Sequence, residues 1–311
     1  MVKLKVQPNE LPEEIYVQNK ITVSKLVLMA IVLFIIAFFM NFPISNIIKS
    51  KVTHAISTNR ACPITYEDIE FEWFFPKIII KKPTVSGVCF NNPSSALKLK
   101  DLKVSLSSPS VSPLGLRFYT KIKHKLTVLN LYPTIGLSRQ VLKIDKSSIS
   151  HETLRTILGR KSVKFSGDFE IQALLKTHEG NLTSGDVLIT STNLNLPPQN
   201  VSGLVDLPSM PIGQFQFKTS VNAKNLLELK ELRIGDANSP IIAGLDGKIK
   251  LNPHNPRNST LDMTGQVKFS QTIMENFGIL NAMLSGKKQS DKGFYKFKVG
   301  GRMSSPIPSF Q

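Results

Sequence analysis

The residues of this chain with chemistry to offer are two cysteines, five histidines and a knot of carboxylates. The histidines, His54, His124, His151, His178 and His254, are scattered: none forms an i, i+4 pair or stands beside a cysteine, as metal ligands would. No Gly-x-Ser-x-Gly elbow, phosphate loop or dinucleotide fingerprint is present. Glu67, Asp68, Glu70 and Glu72 lie on an extended segment, where alternation divides them between two faces and makes a solvated edge. Asp236, Asp246 and Asp262 stand near glycines or strand ends, the places of turn chemistry. Asn181, Asn200 and Asn258 open glycosylation sequons, a weak signal by chance alone. The expectation is a protein that is not an enzyme, with no cofactor and no metal.

Cys62 and Cys89 are the remaining chemistry. Between them ITYEDIEFEWFF and KIIIKKPTVSGVCF, rich in β-branched and aromatic residues, flank Pro76 and read as a hairpin. With the turn at Phe75-Pro76, Phe71 faces Ile80, Trp73 faces Ile78, Glu70 faces Lys81, and the two cysteines oppose each other. The spacing predicts a disulfide and an oxidising compartment; two unrelated buried thiols are the competing reading.

The elements that must position these residues begin with Leu26–Met40, LVLMAIVLFIIAFFM, fifteen residues without a charge. The charge-free stretch from Leu26 to Ile47 would rise roughly 33 Å as a helix, against about 30 Å of hydrocarbon core. Bulky residues follow Met40 where a signal peptidase needs small ones, so a retained transmembrane anchor over 25–47 is expected instead of a cleaved signal. Flanking lysines on both sides leave its orientation open. A polar tail, expected in the cytoplasm, occupies 1–24. Apolar residues at Ile44, Ile47, Ile48, Val52 and Ile56 continue at helical spacing from Pro43 to about Thr58, a juxtamembrane helix over 48–60.

From residue 61 to 311 a period of two dominates. SALKLKDLKVSLSS, VKFSGDFEIQA, IGQFQFKTSVNA and GFYKFKVGGRM each send apolar and polar residues to opposite faces. Fourteen to seventeen strands joined by tight turns predict a largely antiparallel sheet, with short helices at HETLRTILGR, capped by Ser150, and at Thr272 to Leu284. With little helix to cover it, the apolar face must curl on itself, pack against a partner or hold lipid, and curling is expected. The expected fold is mainly β, an elongated curled sheet forming a groove. Its inward side chains are drawn from Phe169, Ile171, Leu188, Phe215, Phe217, Ile249, Leu251 and Phe297.

Charge points to anionic surroundings. The chain carries 39 Lys and Arg against 22 Asp and Glu, a net charge of +17. The lysines are dispersed along strands; membrane lipid, and not nucleic acid, is the expected partner.

The order of motifs resembles the bacterial type II secretion system protein N family. The resemblance is carried by the apolar segment followed by Phe42-Pro43-Ile44, the ITYEDIEFEWFFPKIIIKKPTVSGVCF pair, SALKLKDLKVSL, GDVLITSTNLNLPP, LKELRIGDANSPIIAGLDGKIKLN and the terminal GFYKFKVGGRMSSPIP. The Phe-Pro hairpin and the strand after it are also similar to the wider AsmA-like group of inner-membrane-anchored proteins. These resemblances imply a single-pass inner-membrane protein with a periplasmic β-domain, an accessory subunit of a protein-export machine that meets other secretion-system subunits. The AsmA-like alternative implies a carrier of phospholipid or another acyl lipid in the groove. Neither family supplies catalytic residues.

Overall fold

The computed structural model describes residues 23–41, 44–72, 76–90, 92–158, 163–179, 181–201, 205–222, 225–252, 255 and 258–311. All but the last two residues of the expected tail lie outside these. The chain forms two compact units, Met1–Ile48 and Lys49–Gln311.

In the first unit, helix α1 spans Val23–Asn41, and its described side chains are exposed. Helix α2 spans Ile44–Thr58 and runs into the second unit. The apolar stretch is thus described as two helices, the second starting at Ile44, beside the start expected at Pro43. Proline lacks an N–H and clashes with the preceding turn, so it belongs at a helix start and not in an interior. Among the described residues no helix is long and apolar enough to cross a membrane.

The second unit is mainly β, as the alternation requires. A small sheet joins β1 (Ile64–Thr65), β4 (Thr84–Ser86) and β5 (Ala96–Lys98). The main sheet has fourteen strands: β2 (Asp68–Glu72), β3 (Lys77–Lys81), β6 (Asp101–Val111), β7 (Leu114–His124), β8 (Thr127–Gly136), β9 (Arg139–Ser150), β10 (Asp168–His178), β11 (Asn181–Leu196), β14 (Met210–Asn222), β15 (Leu226–Ile234), β16 (Ile241–Lys250), β17 (Thr260–Phe269), β18 (Tyr295–Arg302) and β19 (Ser305–Phe310). They lie side by side in that order, every neighbouring pair antiparallel. A separate ribbon pairs β12 (Gln199–Val201) with β13 (Val205–Leu207).

A meander of this kind sends successive connections to opposite ends of the sheet. At one end lie helix α3 (His151–Leu158), the β12–β13 ribbon, and helices α4 (Gln271–Asn276) and α5 (Gly278–Leu284). At the other end the strands turn back directly, as at Val111/Leu114, Gly136/Arg139 and Arg302/Ser305. The single helix expected over Thr272–Leu284 divides at Phe277, whose φ of −118° and ψ of 79° leave the helical region. Ser270 caps α4 by accepting from the Ile273 N–H.

The first hairpin differs from its expected register by two residues. Phe71 pairs with Ile78 and Ile69 with Ile80, so the ladder is centred one residue before the expected Phe75-Pro76 turn. A slip of two keeps every side chain on its face, whereas a slip of one would invert them. Glu70 and Lys81 are diagonal neighbours and still form an ion pair; the Trp73–Ile78 pair lies outside the described residues. Cys62 and Cys89 form a disulfide with 4.5 Å between their Cα atoms. It does not staple the β2–β3 ladder. Cys89 sits in a 3₁₀ turn, Gly87–Phe90, after β4, and β4 pairs with β1, so the bridge closes the small sheet.

Candidate functional site: an apolar face across fourteen strands

Side chains opposite each other in an antiparallel ladder share a face. One face can therefore be followed from edge to edge through the registers. Phe71 meets Ile78, Ile78 meets Val104, and Val104 meets Thr120. Leu131 pairs with Ile144, Ile144 with Ala173, and Ala173 with Val187. Further on, Ile171, Ile189, Phe217, Leu232, Leu245, Gly265, Phe297 and Phe310 form one unbroken row across eight strands. Phe297 lies over Gly265, where an added Cβ would stand 2.7 Å from the ring.

The face survives because bulges correct the alternation where the sequence breaks it. In β15, Leu229 and Leu232 have opposite parity, yet a register shift between them places both on the apolar face. The same device lets Leu106 and Pro109 of β6, and Ile144 and Ser147 of β9, point the same way. Each bulge also bends its strand and adds twist, which curls the sheet.

Of the residues expected to point inward, Phe169, Ile171, Phe215, Phe217, Ile249 and Phe297 lie on this face. Leu251 follows β16 by one residue, half-buried, its N–H donating to the Asn225 carbonyl. Leu188 is a correction. It pairs with Gln172 and Lys218 on the polar face. Val187, Leu188 and Ile189 form an apolar run with no alternation to read, and the pairing of Ile189 with Phe217 settles which two turn inward.

Helices cover one end of the face. Phe169, Leu194, Met210, Ile212 and Ile273 are buried together there, with Phe277 and Leu280 packed against them. Phe169 meets Phe165 and Phe215 edge-to-face, centroids 5.6 and 6.0 Å apart. Leu284 joins Val267 and Tyr295 in an adjoining cluster. Away from this end the apolar side chains are half-buried; Phe217, Leu232, Leu245 and Leu261 are of this kind.

The opposite face is wet. Lys146 pairs with Glu170 at 3.1 Å and Lys230 with Asp186 at 3.6 Å, while Lys218, Lys248, Lys250, Lys296 and Lys298 are exposed. Such exposed pairs contribute about 0–1 kcal/mol each.

One polar cluster has no counterpart in the sequence pattern. Thr127 Oγ1 lies 2.7 Å from Thr153 Oγ1 and 3.1 Å from Ser150 Oγ, and His124 Nδ1 lies 2.9 Å from Thr153 Oγ1. Thr127, Ser150 and Thr153 are buried. Burial, with Lys125 next to it, holds the His124 imidazole below its ordinary pKa. Glu152 nearby is lowered by its hydrogen bond with Lys125. The cluster pins α3 to the β7–β8 and β9 strand ends. The Ser150 cap was its visible part; the rest is long-range pairing. Among the described residues no group of three His, Cys, Asp or Glu is placed to hold a metal.

The class defined by this geometry is an open, curled antiparallel sheet with one continuous apolar face, covered at one end. Comparison with family models, curated proteins and solved structures returned no match to this chain.

Proposed function

We propose that this protein is a non-enzymatic binding protein of the bacterial inner membrane, whose sheet receives the acyl chains of a phospholipid or similar lipid along its apolar face. The observation that carries the reading is the unbroken apolar row from Ile171 to Phe310, which remains only half-buried. Apolar area of that extent is costly against water, at roughly 25 cal/mol per Å², and acyl chains relieve the cost. The uncharged stretch from Leu26 to Ile47 supports a single-pass anchor, and the Cys62–Cys89 disulfide supports a periplasmic β-domain. The basic polar face suits phosphate-rich surroundings.

The test is a photoreactive phenylalanine analogue at Phe217, on the apolar face, and at Lys218, on the polar face, in the full chain within membranes. Irradiation should give a phospholipid adduct at 217 and none at 218. Equal labelling at both, or none at 217, overturns the reading.

A second reading, an accessory subunit of a type II secretion apparatus, draws on the order of sequence motifs and on the two sheet edges, β2 and β19, that could dock other subunits. Crosslinked affinity purification should then recover other subunits of that apparatus; recovery of none argues against it.

A further inference from the structure

At the uncovered end, the apolar face runs out into solvent on two adjacent hairpins. Val111 and Leu114 pair across the β6–β7 turn, and Leu116 of β7 pairs with Ile135 of β8, next to Leu137 in the β8–β9 turn. Val111 is 89% exposed, Leu114 71%, Leu116 48%, Ile135 54% and Leu137 96%. The hairpins are held close by Gly115 and Gly136, which face each other: a Cβ at Gly115 would stand 2.2 Å from the Ile135 carbonyl oxygen. Five large apolar side chains are thus brought together at one tip, where side chains of soluble proteins are ordinarily polar.

The nearest cations are Arg117, Arg139 and Lys143, and the chain has no Asp or Glu from residue 102 to 144. Just behind the tip, a cavity of about 450 Å³ is lined by Ser112, Pro113, Arg117, Tyr132 and Lys143 among others. Lys143 meets Asp145 at 3.6 Å, and Glu179 of the next turn lies beside His178 at 3.8 Å; Arg117 is exposed.

We propose that the β6–β7 and β8–β9 tips form a wedge that inserts into an anionic lipid surface, Leu114 and Leu137 entering the acyl boundary while Arg117, Arg139 and Lys143 meet head-group phosphates. An apolar point flanked by Arg117, Arg139 and Lys143, which outnumber the neighbouring acids Asp145 and Glu179, matches an anionic bilayer surface in both polarity and charge; a protein partner or a second copy would need an acidic, shape-matched pocket, and this tip is not complementary to itself. The inference stands apart from the cargo of the groove, since the tip binds a surface whether or not the face beyond it holds a lipid.

Both cysteines of the chain are in the disulfide, so Leu137→Cys supplies a single labelling site. The full chain, held in nanodiscs of phosphatidylcholine and labelled there with an environment-sensitive fluorophore, is mixed with vesicles of phosphatidylcholine and phosphatidylglycerol at 3:1. The label should shift to the blue and brighten severalfold, and the response should fall at least fivefold in 0.5 M salt or with pure phosphatidylcholine vesicles. A label at Thr264→Cys, exposed on the polar face of β17, should not respond. The paired variant Val111→Asp/Leu137→Asp, with its disulfide and thermal midpoint unchanged, should lose vesicle capture at least tenfold. No response at 137, an equal response at 264, capture untouched by the paired variant, or concentration-dependent self-association through the tip without vesicle capture each overturns the proposal.

Discussion

Where β9 passes into α3 and β17 into α4, apolar side chains are sealed; where β6 turns into β7 and β8 into β9, they are bare. At the sealed end Ile212 and Ile273 are almost inaccessible, and even the polar groups Thr127, Ser150 and Thr153 are buried against one another. At the other end the same face finishes in Leu114 and Leu137. Both ends obey the same alternation, so the difference comes from the connections. Long connections that carry amphipathic helices can fold back over the face, while tight turns have no chain left to cover it. Stability is concentrated at one end, and the other is left to meet something else.

The sharpest way to break this contrast is to place a charge in the sealed end. Ile212→Asp buries an unpaired carboxylate among Phe169, Leu194 and Met210, and should cost more than about 4 kcal/mol, enough to prevent folding. Ile212→Ala should cost about 2–5 kcal/mol through the cavity it leaves. Chemical denaturation of the two variants would check both, and a fully stable Ile212→Asp protein would mean that this end is not sealed. Next in size is the disulfide. Removing a bridge across 27 positions of chain, by Cys62→Ser, should cost about 3–4 kcal/mol in the chain-entropy model. Because the small sheet touches α3 through Asn92 and Ser95, which both donate to the Thr156 carbonyl, hydrogen exchange should rise in β1, β4, β5 and α3 before it rises in β14–β18. Uniform acceleration would show that the bridge supports the whole sheet.

Alternation alone makes the sheet and its apolar side legible in the linear chain: strands such as Phe215–Val221 and Tyr295–Val299 allow only one facing. The bulges are not legible there, because a two-against-one pairing depends on the neighbouring strand, as with Leu229 and Leu232. Leu188 is misplaced for a related reason, standing in an apolar triplet where local pattern gives no preference. The register of the first hairpin slips because a shift of two leaves the alternation unchanged, so strand pattern cannot choose between the two pairings. The cysteine pairing can be read from count and spacing, though not the small sheet that it closes. The cluster around Thr153 joins three strand ends and a helix, contacts that leave no mark in a linear pattern.

Between the two ends, the middle of the sheet should respond by face. Phe217→Asp and Ile249→Asp put a charge on the apolar row and should each cost about 2–3 kcal/mol, since these side chains are only half-buried. Lys218→Asp and Lys250→Asp lie on the exposed face one residue away and should stay within about 0.5 kcal/mol. Thermal midpoints of the four variants compare neighbours that differ in little but direction. If the lysine substitutions unfold the protein and the apolar ones do not, the two faces are the reverse of this assignment.

The smallest effect is expected at the pin of α3 and is confined to one pH window. His124 is held below its ordinary pKa, first by burial and then by Lys125. The unfolded chain therefore binds this proton more readily than the folded one does. Stability linked to His124 is complete above the unfolded value of about 6.5 and is lost as pH falls through the window below it. Glu152, lowered by Lys125, acts in the same direction, but only as pH falls below the ordinary glutamate range. Lowering pH from about 7.5 to 5.5 should accordingly loosen α3 through His124, while the sealed core around Ile212, which has no titrating group among its members, keeps its protection. His124→Gln preserves a hydrogen-bonding partner for Thr153 and removes the proton, so its stability should be flat across that window. The measurement is the pH dependence of amide exchange in α3 for the two proteins. A slope that persists in His124→Gln assigns the pH response to another group, and a loss of protection at Ile212 in the same window would join the two regions into one cooperative unit.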